Sequence, residues 1–221
     1  LVYCGLESVV TSQLRRYGKR TRAVSDLVKA VKLAKDLRLK LELGFIMFDP
    51  FVSLRELRGN VQVLESTGLW QDIKSILSFL NVYSHTPYET WVRRENLLGE
   101  FDLDSLTYEW SYANETVARI AEKCLQWRMR FHPVYSALRH VERTDLASTY
   151  ADRFLRLLRY QDLMFLKTVL NEGSEFSNPG STKESIELQR MSLLRDLYDH
   201  LQTIPWTQPD ELLISELTKC L

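Results

Sequence analysis

The sequence is short of cysteine, sparing with glycine and proline, and without a charge imbalance. Each shortage removes a class of protein. The three cysteines, Cys4, Cys124 and Cys220, stand far apart and are odd in number. That argues against a disulfide framework and against a clustered thiolate metal site, and it leaves each cysteine as a small buried hydrophobe. Lys and Arg total 29 against 29 Asp and Glu, so nothing global draws the chain to nucleic acid or an anionic membrane, and any partner must be recognised locally. No apolar run approaches the roughly 20 residues of a membrane span, and the opening LVYCGL is too short and too quickly charged for a secretory signal. The chain reads as cytoplasmic. What it does have is a 45% hydrophobic fraction over 221 residues, enough for one large domain or two small ones.

The first hundred residues alternate strand and helix. Leu1 to Leu6 read as a core strand that meets a turn at Gly5-Leu6-Glu7-Ser8. Ser8 to Tyr17 reads as a short helix closed by Gly18, and Val24 to Leu37 carries apolar residues at helical spacing. Leu39 to Phe48 has the length and composition of a strand, alternating at first and then continuously apolar, as a strand covered on both faces should be. Asp49-Pro50 ends it. Ser53-Leu54-Arg55-Glu56 stands at capping-box spacing and predicts a helix to about Thr67, stopped by Gly68. Leu77 to Ser84 is a further candidate strand before the turn at His85-Thr86-Pro87. Connections of this length imply parallel strands and right-handed crossovers, hence an α/β sheet or barrel.

Beyond about residue 105 the pattern becomes helical. Asn114 can cap a helix with apolar positions Val117, Ile120, Ala121, Cys124, Leu125 and Phe131, punctuated by Pro133. Val134 to Val141, Leu146 to Leu170, Thr182 to Leu201 and Pro209 to Cys220 read as further helices, with Asn178-Pro179-Gly180-Ser181 as a flexible loop. The expected organisation is an α/β domain over 1–105 and an all-helical domain over 106–221.

Five pieces of the first part, in order, carry a family likeness: Val2-Tyr3-Cys4-Gly5-Leu6-Glu7-Ser8; Gly18-Lys19-Arg20-Thr21; Gly44-Phe45-Ile46-Met47-Phe48-Asp49-Pro50; Leu54-Arg55-Glu56-Leu57 with Asn60; and His85-Thr86-Pro87-Tyr88. Together they resemble the second half of the catalytic domain of radical S-adenosylmethionine enzymes, over residues 1 to about 98. The "FIMFDP" form and the long helical extension look most like the subgroup with a cobalamin-binding domain. The resemblance implies a half of that family's partial barrel, with Leu1 opening about its fourth strand.

In that family three cysteines in C-x3-C-x2-C hold a [4Fe-4S] cluster that binds S-adenosylmethionine, and no such spacing occurs here. The resemblance therefore implies a C-terminal fragment, inactive alone, whose partner is the missing N-terminal half of the same protein. The full-length enzyme would reductively cleave S-adenosylmethionine to a 5′-deoxyadenosyl radical and act on a small-molecule substrate as an oxidoreductase or transferase, with cobalamin as a further cofactor. The helical domain would cover the barrel mouth or bind substrate. The unpaired edge of the first strand would be covered by dimerisation or by the helices.

By the same resemblance Glu7 and Ser8 contact S-adenosylmethionine at a strand end, and Phe45, Ile46 and Met47 flank its adenine. Each has a plainer role open to it: helix capping for Ser8, a first-turn carboxylate for Glu7, and core packing for the other three. His85, Thr86 and Tyr88 could face substrate or be polar surface. Trp110, Tyr112, Trp127, Phe131 and Tyr135 read as helix packing, and the pairs Arg15-Arg16 and Arg93-Arg94 as solvated helix surface. The alternative to an enzyme is a non-catalytic α/β and helical scaffold, which the absence of a complete catalytic constellation fits.

Overall fold

The computed structural model describes residues 1–20, 23–143, 148–172, 179–202, 215, 217 and 218. It divides into two compact units, Leu1–Glu122 and Lys123–Leu221. The first is mixed α/β and the second is helical.

The first unit opens with β1 (Val2–Glu7), α1 (Thr11–Arg16), α2 (Val24–Asp36) and β2 (Leu41–Phe45). β1 and β2 pair in parallel, from Val2 opposite Leu41 to Gly5 opposite Gly44 and, after a bulge at Leu6, Glu7 opposite Phe45. The parallel crossover expected from the spacing is present. β1 is not a buried core strand, however. It has one neighbour, and Leu1, Val2 and Tyr3 are 72%, 43% and 61% exposed. Cys4 is also exposed, while Cys124 is buried; Cys220 lies outside the described residues. α1 begins three residues later than Ser8, because the Ser8 hydroxyl accepts from Val10 N and is engaged elsewhere instead of capping.

α3 (Leu54–Thr67) forms as its sequence dictates. Ser53 accepts from Glu56 N, Glu56 reaches back to Ser53 N, and Gly68 closes the helix at φ 71°. The strand expected over Leu77–Ser84 is reduced to fragments. Parallel bridges join Leu43 to Ile73 and Phe48 to Phe79. Between them Ser78 intervenes: its hydroxyl donates to Phe45 O at 2.6 Å, and its carbonyl accepts from both Met47 N and Phe48 N. A side chain has thus taken a place the ladder would use.

The end of that segment, β3 (Val82–Tyr83), turns to a different sheet. It pairs antiparallel with β5 (Thr107–Trp110), which also pairs with β4 (Leu98–Asp102), giving the order β3-β5-β4. This small sheet, and α4 (Pro87–Arg94) before it, were not expected. Thr86 caps α4 by accepting from Glu89 N, with proline at the first helical position. The β4–β5 turn is tied by Asp102, which accepts from Asp104 N and Ser105 Oγ; residue 105 lies in this turn. Trp110 is therefore a strand residue, donating to Leu80 O at 3.0 Å, and not part of a helix. Met47, Phe48, Leu57, Leu64, Ile73 and Ile76 form the buried centre of the unit.

α5 (Glu115–Arg143) runs from the first unit into the second and is continuous through Pro133. The helix expected from Val134 is its second half. The backbone hydrogen bond lost at Pro133 is outweighed by burial of Phe131, Val134 and Leu138 along one face. In the second unit α6 (Ser148–Glu172) and α7 (Pro179–Gln202) match the periodic segments closely. Pro179, Gly180 and Ser181 belong to the first turn of α7 and not to a loop; Asn178 lies outside the described residues. Of the helix expected over Pro209–Cys220, residues 215, 217 and 218 are described and helical.

A polar cluster is buried within the apolar core of this unit. Trp127 is stacked on Phe165 at 4.2 Å, with the Arg190 guanidinium 4.9 Å from its centroid. Asp162 accepts from Trp127 Nε1 at 2.8 Å, from Arg190 Nη2 at 2.6 Å and from the Tyr135 hydroxyl. Arg190 is fully buried.

Candidate functional site

The C-terminal ends of β1 and β2 lie side by side, and in parallel α/β architecture this is where ligands approach. Strand alternation sorts the residues there. Leu43 and Phe45 share one face and are buried at 2% and 5% exposure. Gly5 and Gly44 stand opposite each other on the other face, and Gly44 is itself buried. A Cβ on Gly44 would run into the Tyr3 hydroxyl, and one on Gly5 into the Glu7 carboxylate. The Tyr3 hydroxyl and the Glu7 carboxylate thus lie over the two glycines.

Glu7 is held there by the bulge. Its φ is 65°, a left-handed conformation costly for a residue with a Cβ, and its carbonyl is fixed by Ile46 N at 2.7 Å. Its half-buried carboxylate has Lys19 Nζ at 3.5 Å. Backbone strain at a strand end beside a carboxylate makes Glu7 the candidate contact at this end of the sheet.

The five residues nominated from sequence separate clearly. Glu7 and Ile46 keep accessible surface at the strand ends, whereas Phe45 and Met47 are core. Ser8 is fully buried, with its hydroxyl 2.7 Å from Gln13 Oε1 and 3.0 Å from Asn60 Oδ1. It supports the turn from beneath.

That support is part of a larger buried network centred on Asp49, which is completely inaccessible. Asp49 Oδ2 accepts from the Tyr17 hydroxyl at 2.6 Å, from Gln13 Nε2 at 2.9 Å and from Arg16 Nη2 at 3.4 Å. Its Oδ1 accepts from Phe51 N at 2.8 Å and the Tyr88 hydroxyl at 3.1 Å. Arg16 also grips Glu56 through both terminal nitrogens at 2.6 and 2.9 Å, so it is no solvated surface cation. Burial and the Asp49 charge push the Tyr17 and Tyr88 phenols well above their ordinary range. Burial works to raise the Glu56 carboxyl, but hydrogen bonds from Arg16 and Ser12 prevail and hold it at about 2.

Of the other candidates, Thr86 caps α4 and Tyr88 joins Asp49, while His85 is exposed with its amide donating to Glu89. Arg93 pairs with Glu89 and lies over the Tyr108 ring, and Arg94 pairs with Glu95. Gln13 was not singled out from the sequence, and Asp49, which there reads either as the strand end extended towards the site or as an ordinary Asp-Pro turn, is the buried hub of this network. Asn60 carried a signal, a lone amide set in the apolar stripe of Leu57, Val61 and Leu64.

Among the described residues no three His, Cys, Asp or Glu side chains gather as metal ligands. The residues present therefore do not fit an iron–sulfur cluster. What this strand end offers a small molecule is the Glu7 carboxylate, an acceptor for hydrogen-bond donors. No helix among the described residues is long and apolar enough to cross a membrane.

Comparison with known proteins gives the same direction as the motifs. No family profile matches the chain. A curated relative, the 4'-phospho-dehydrooxetanocin synthase of Priestia megaterium, is 25% identical over a stretch covering 57% of this chain and 23% of that protein. The solved structure of the cobalamin-dependent S-adenosylmethionine radical enzyme OxsB, with aqua-cobalamin and S-adenosylmethionine bound, superposes over 99% of this chain with TM-score 0.77 at 20% identity. Its form with aqua-cobalamin alone gives TM-score 0.76 at 19%. Identity this low speaks for the fold. The structural neighbours are cobalamin-dependent radical S-adenosylmethionine enzymes, the family that the sequence motifs resemble. The chain spans 40% of the solved structure's length and 23% of the curated relative's.

Proposed function

We propose that this chain is the C-terminal portion of a cytoplasmic radical S-adenosylmethionine enzyme of the cobalamin-dependent kind. The observation carrying this is the fold match across 99% of the chain to 40% of such an enzyme. In this reading β1 and β2 are strands of a partial barrel, and the open edge of β1 receives the preceding strand of the same polypeptide. The cluster ligands come from that N-terminal part, since the described residues gather no such ligand set and the sequence holds no C-x3-C-x2-C spacing. The cofactors, when bound, supply the radical chemistry. The residues of this chain bind and orient. Glu7 accepts hydrogen bonds from S-adenosylmethionine or sits beside its positive charge, and Ile46 gives an apolar wall. The Asp49 network keeps the two strand ends in register. A small-molecule substrate is turned over in oxidoreductase or transferase chemistry.

The test uses the full-length protein, purified anaerobically. Roughly four irons per chain, lost when an upstream C-x3-C-x2-C triad is replaced, together with reductive cleavage of S-adenosylmethionine, are the expected results. Glu7→Gln should raise the KM for S-adenosylmethionine about tenfold, a loss of about 1.4 kcal/mol, with iron content unchanged. A full-length protein without iron, and without any affinity for S-adenosylmethionine, would put the scaffold reading in its place.

A further inference from the structure

The helical unit carries a cavity for which the enzyme reading has no use. Its volume is about 190 Å³, and it is lined by Lys123, Gln126, Trp127 and Arg130 of α5, Phe165 of α6 and Glu187 of α7. The four α5 residues stand at i, i+3, i+4 and i+7. They form one stripe, with Lys123 and Arg130 at its ends about 10 Å apart along the axis. Drug-sized ligands take about 300 Å³ or more and a water about 30 Å³. The space therefore suits a compact molecule with a side chain of a few carbons, and not a nucleotide.

The floor of the cavity is apolar. Trp127 and Phe165 are both buried, with their rings stacked 4.2 Å apart, and Trp127 Nε1 is already committed to Asp162, so the rings present carbon surface. The rim carries both signs. Lys123 Nζ is held by Glu172 at 2.9 Å, which closes one end. At the other end the Arg130 guanidinium lies 5.2 Å from the Phe131 centroid, and its Nη2 is 3.9 Å from Met191 Sδ, a weak acceptor. Glu187 precedes Met191 by one turn of α7, so it stands on the side of that helix that meets Arg130. The half-buried Glu187 carboxylate takes part in no hydrogen bond or ion pair among the described residues. A carboxylate drawn partly out of water without a partner is stabilised by a donor from a bound molecule.

Charge decides the class of that molecule. With Lys123 balanced by Glu172, Arg130 and Glu187 add one charge of each sign to the lining. A phosphate or a dicarboxylate brings negative charge against Glu187, and a simple amine brings positive charge against Arg130. A zwitterion meets neither objection. We propose that this cavity binds a free α-amino acid with an apolar side chain. Its ammonium donates to Glu187, and its carboxylate accepts from Arg130 and from the amide of Gln126, its i−4 neighbour on α5. Its side chain lies on Trp127 and Phe165.

The test needs neither cluster nor S-adenosylmethionine, so its failure and the failure of the enzyme reading are separable. Isothermal titration calorimetry of the intact protein uses L-leucine as the probe. The comparison compounds are 4-methylpentanoate, which lacks the ammonium, 3-methylbutylamine, which lacks the carboxylate, and inorganic phosphate. The expected result is saturable binding of L-leucine at one site per chain, with each of the other three weaker by about tenfold or more. Glu187→Gln should weaken L-leucine about tenfold and leave 4-methylpentanoate unchanged, whereas Arg130→Gln should weaken L-leucine about tenfold and leave 3-methylbutylamine unchanged. A general loss of structure would move both ligands together, and the parent's circular dichroism in each variant checks the same point. The comparison of the four compounds on the parent protein holds whether or not a variant folds. No saturable binding of L-leucine would overturn the proposal. So would 4-methylpentanoate or phosphate binding as tightly as L-leucine, or a folded Glu187→Gln protein with the parent's affinity for it.

Discussion

Arg16 meets Glu56 through both guanidinium nitrogens in a setting that excludes most water, with Glu56 only 7% exposed. The consequence is a pH dependence with a definite sign. The folded-state pKa of Glu56 is about 2 against an ordinary 4.5, so its contribution to stability is complete above the ordinary value and is lost as pH falls from there towards the folded value. The shift corresponds to about 3 kcal/mol. Urea midpoints of the protein should therefore fall steeply between about pH 5 and about pH 2, and Glu56→Gln should flatten that fall while lowering stability at neutral pH by about 2–3 kcal/mol. A Glu56→Gln profile parallel to the parent's would assign the acid lability to other groups. The capping half of Glu56's role was legible from four adjacent residues, Ser53 to Glu56. Its pairing with Arg16, 40 positions away, was not, and Arg16 accordingly read as solvated. The same holds for Asp49, which as part of Asp-Pro looks like an ordinary turn until Gln13, Tyr17 and Tyr88 converge on it.

Helices reveal themselves through periodicity, so α2, α3, α6 and α7 emerged from the sequence nearly at their true bounds, whereas the short β3, β4 and β5 did not. Strands of two, five and four residues offer almost no period to read, and their pairing depends on residues apart in the chain. Pro133 misled in the opposite sense, because a proline is tolerated when the flanking face is as heavily buried as that of Phe131, Val134 and Leu138. Its local cost persists, so Pro133→Ala should stabilise the helical unit by about 1–3 kcal/mol in thermal melts. Between helices, Asp162 is the joint: it neutralises the fully buried Arg190 and accepts from Trp127 and Tyr135. Asp162→Asn leaves the guanidinium without a counter-charge and should cost about 3–5 kcal/mol, against about 1 kcal/mol for the helix-cap change Ser53→Ala. Comparable losses from the two would mean that the Asp162–Arg190 pair is solvated enough to be dispensable.

At the scale of the molecule the exposed strand is the feature that most constrains behaviour. Among the described residues β1 is hydrogen-bonded to β2 along one edge and to no strand along the other, and Leu1, Val2 and Tyr3 have most or nearly half of their surface accessible. In a parallel ladder a residue turns both its N–H and C=O to the same neighbour and the next residue turns both away, so every second peptide group of β1 is left to water. An apolar strand with a free edge pairs with another strand when one is available. The 221-residue chain by itself should therefore self-associate with rising concentration in sedimentation experiments, and hydrogen exchange should show the outward amides of β1 becoming protected as it does so. Val2→Lys places a charge on that edge and should keep the chain monomeric without lowering its melting temperature. In the longer protein proposed above, the preceding strand occupies the edge, so the same substitution should instead destabilise the fold and the outward amides should be protected at every concentration. A chain that stays monomeric while those amides exchange freely would show that β1 needs no neighbour, and the case for a barrel strand before it would fall with that result.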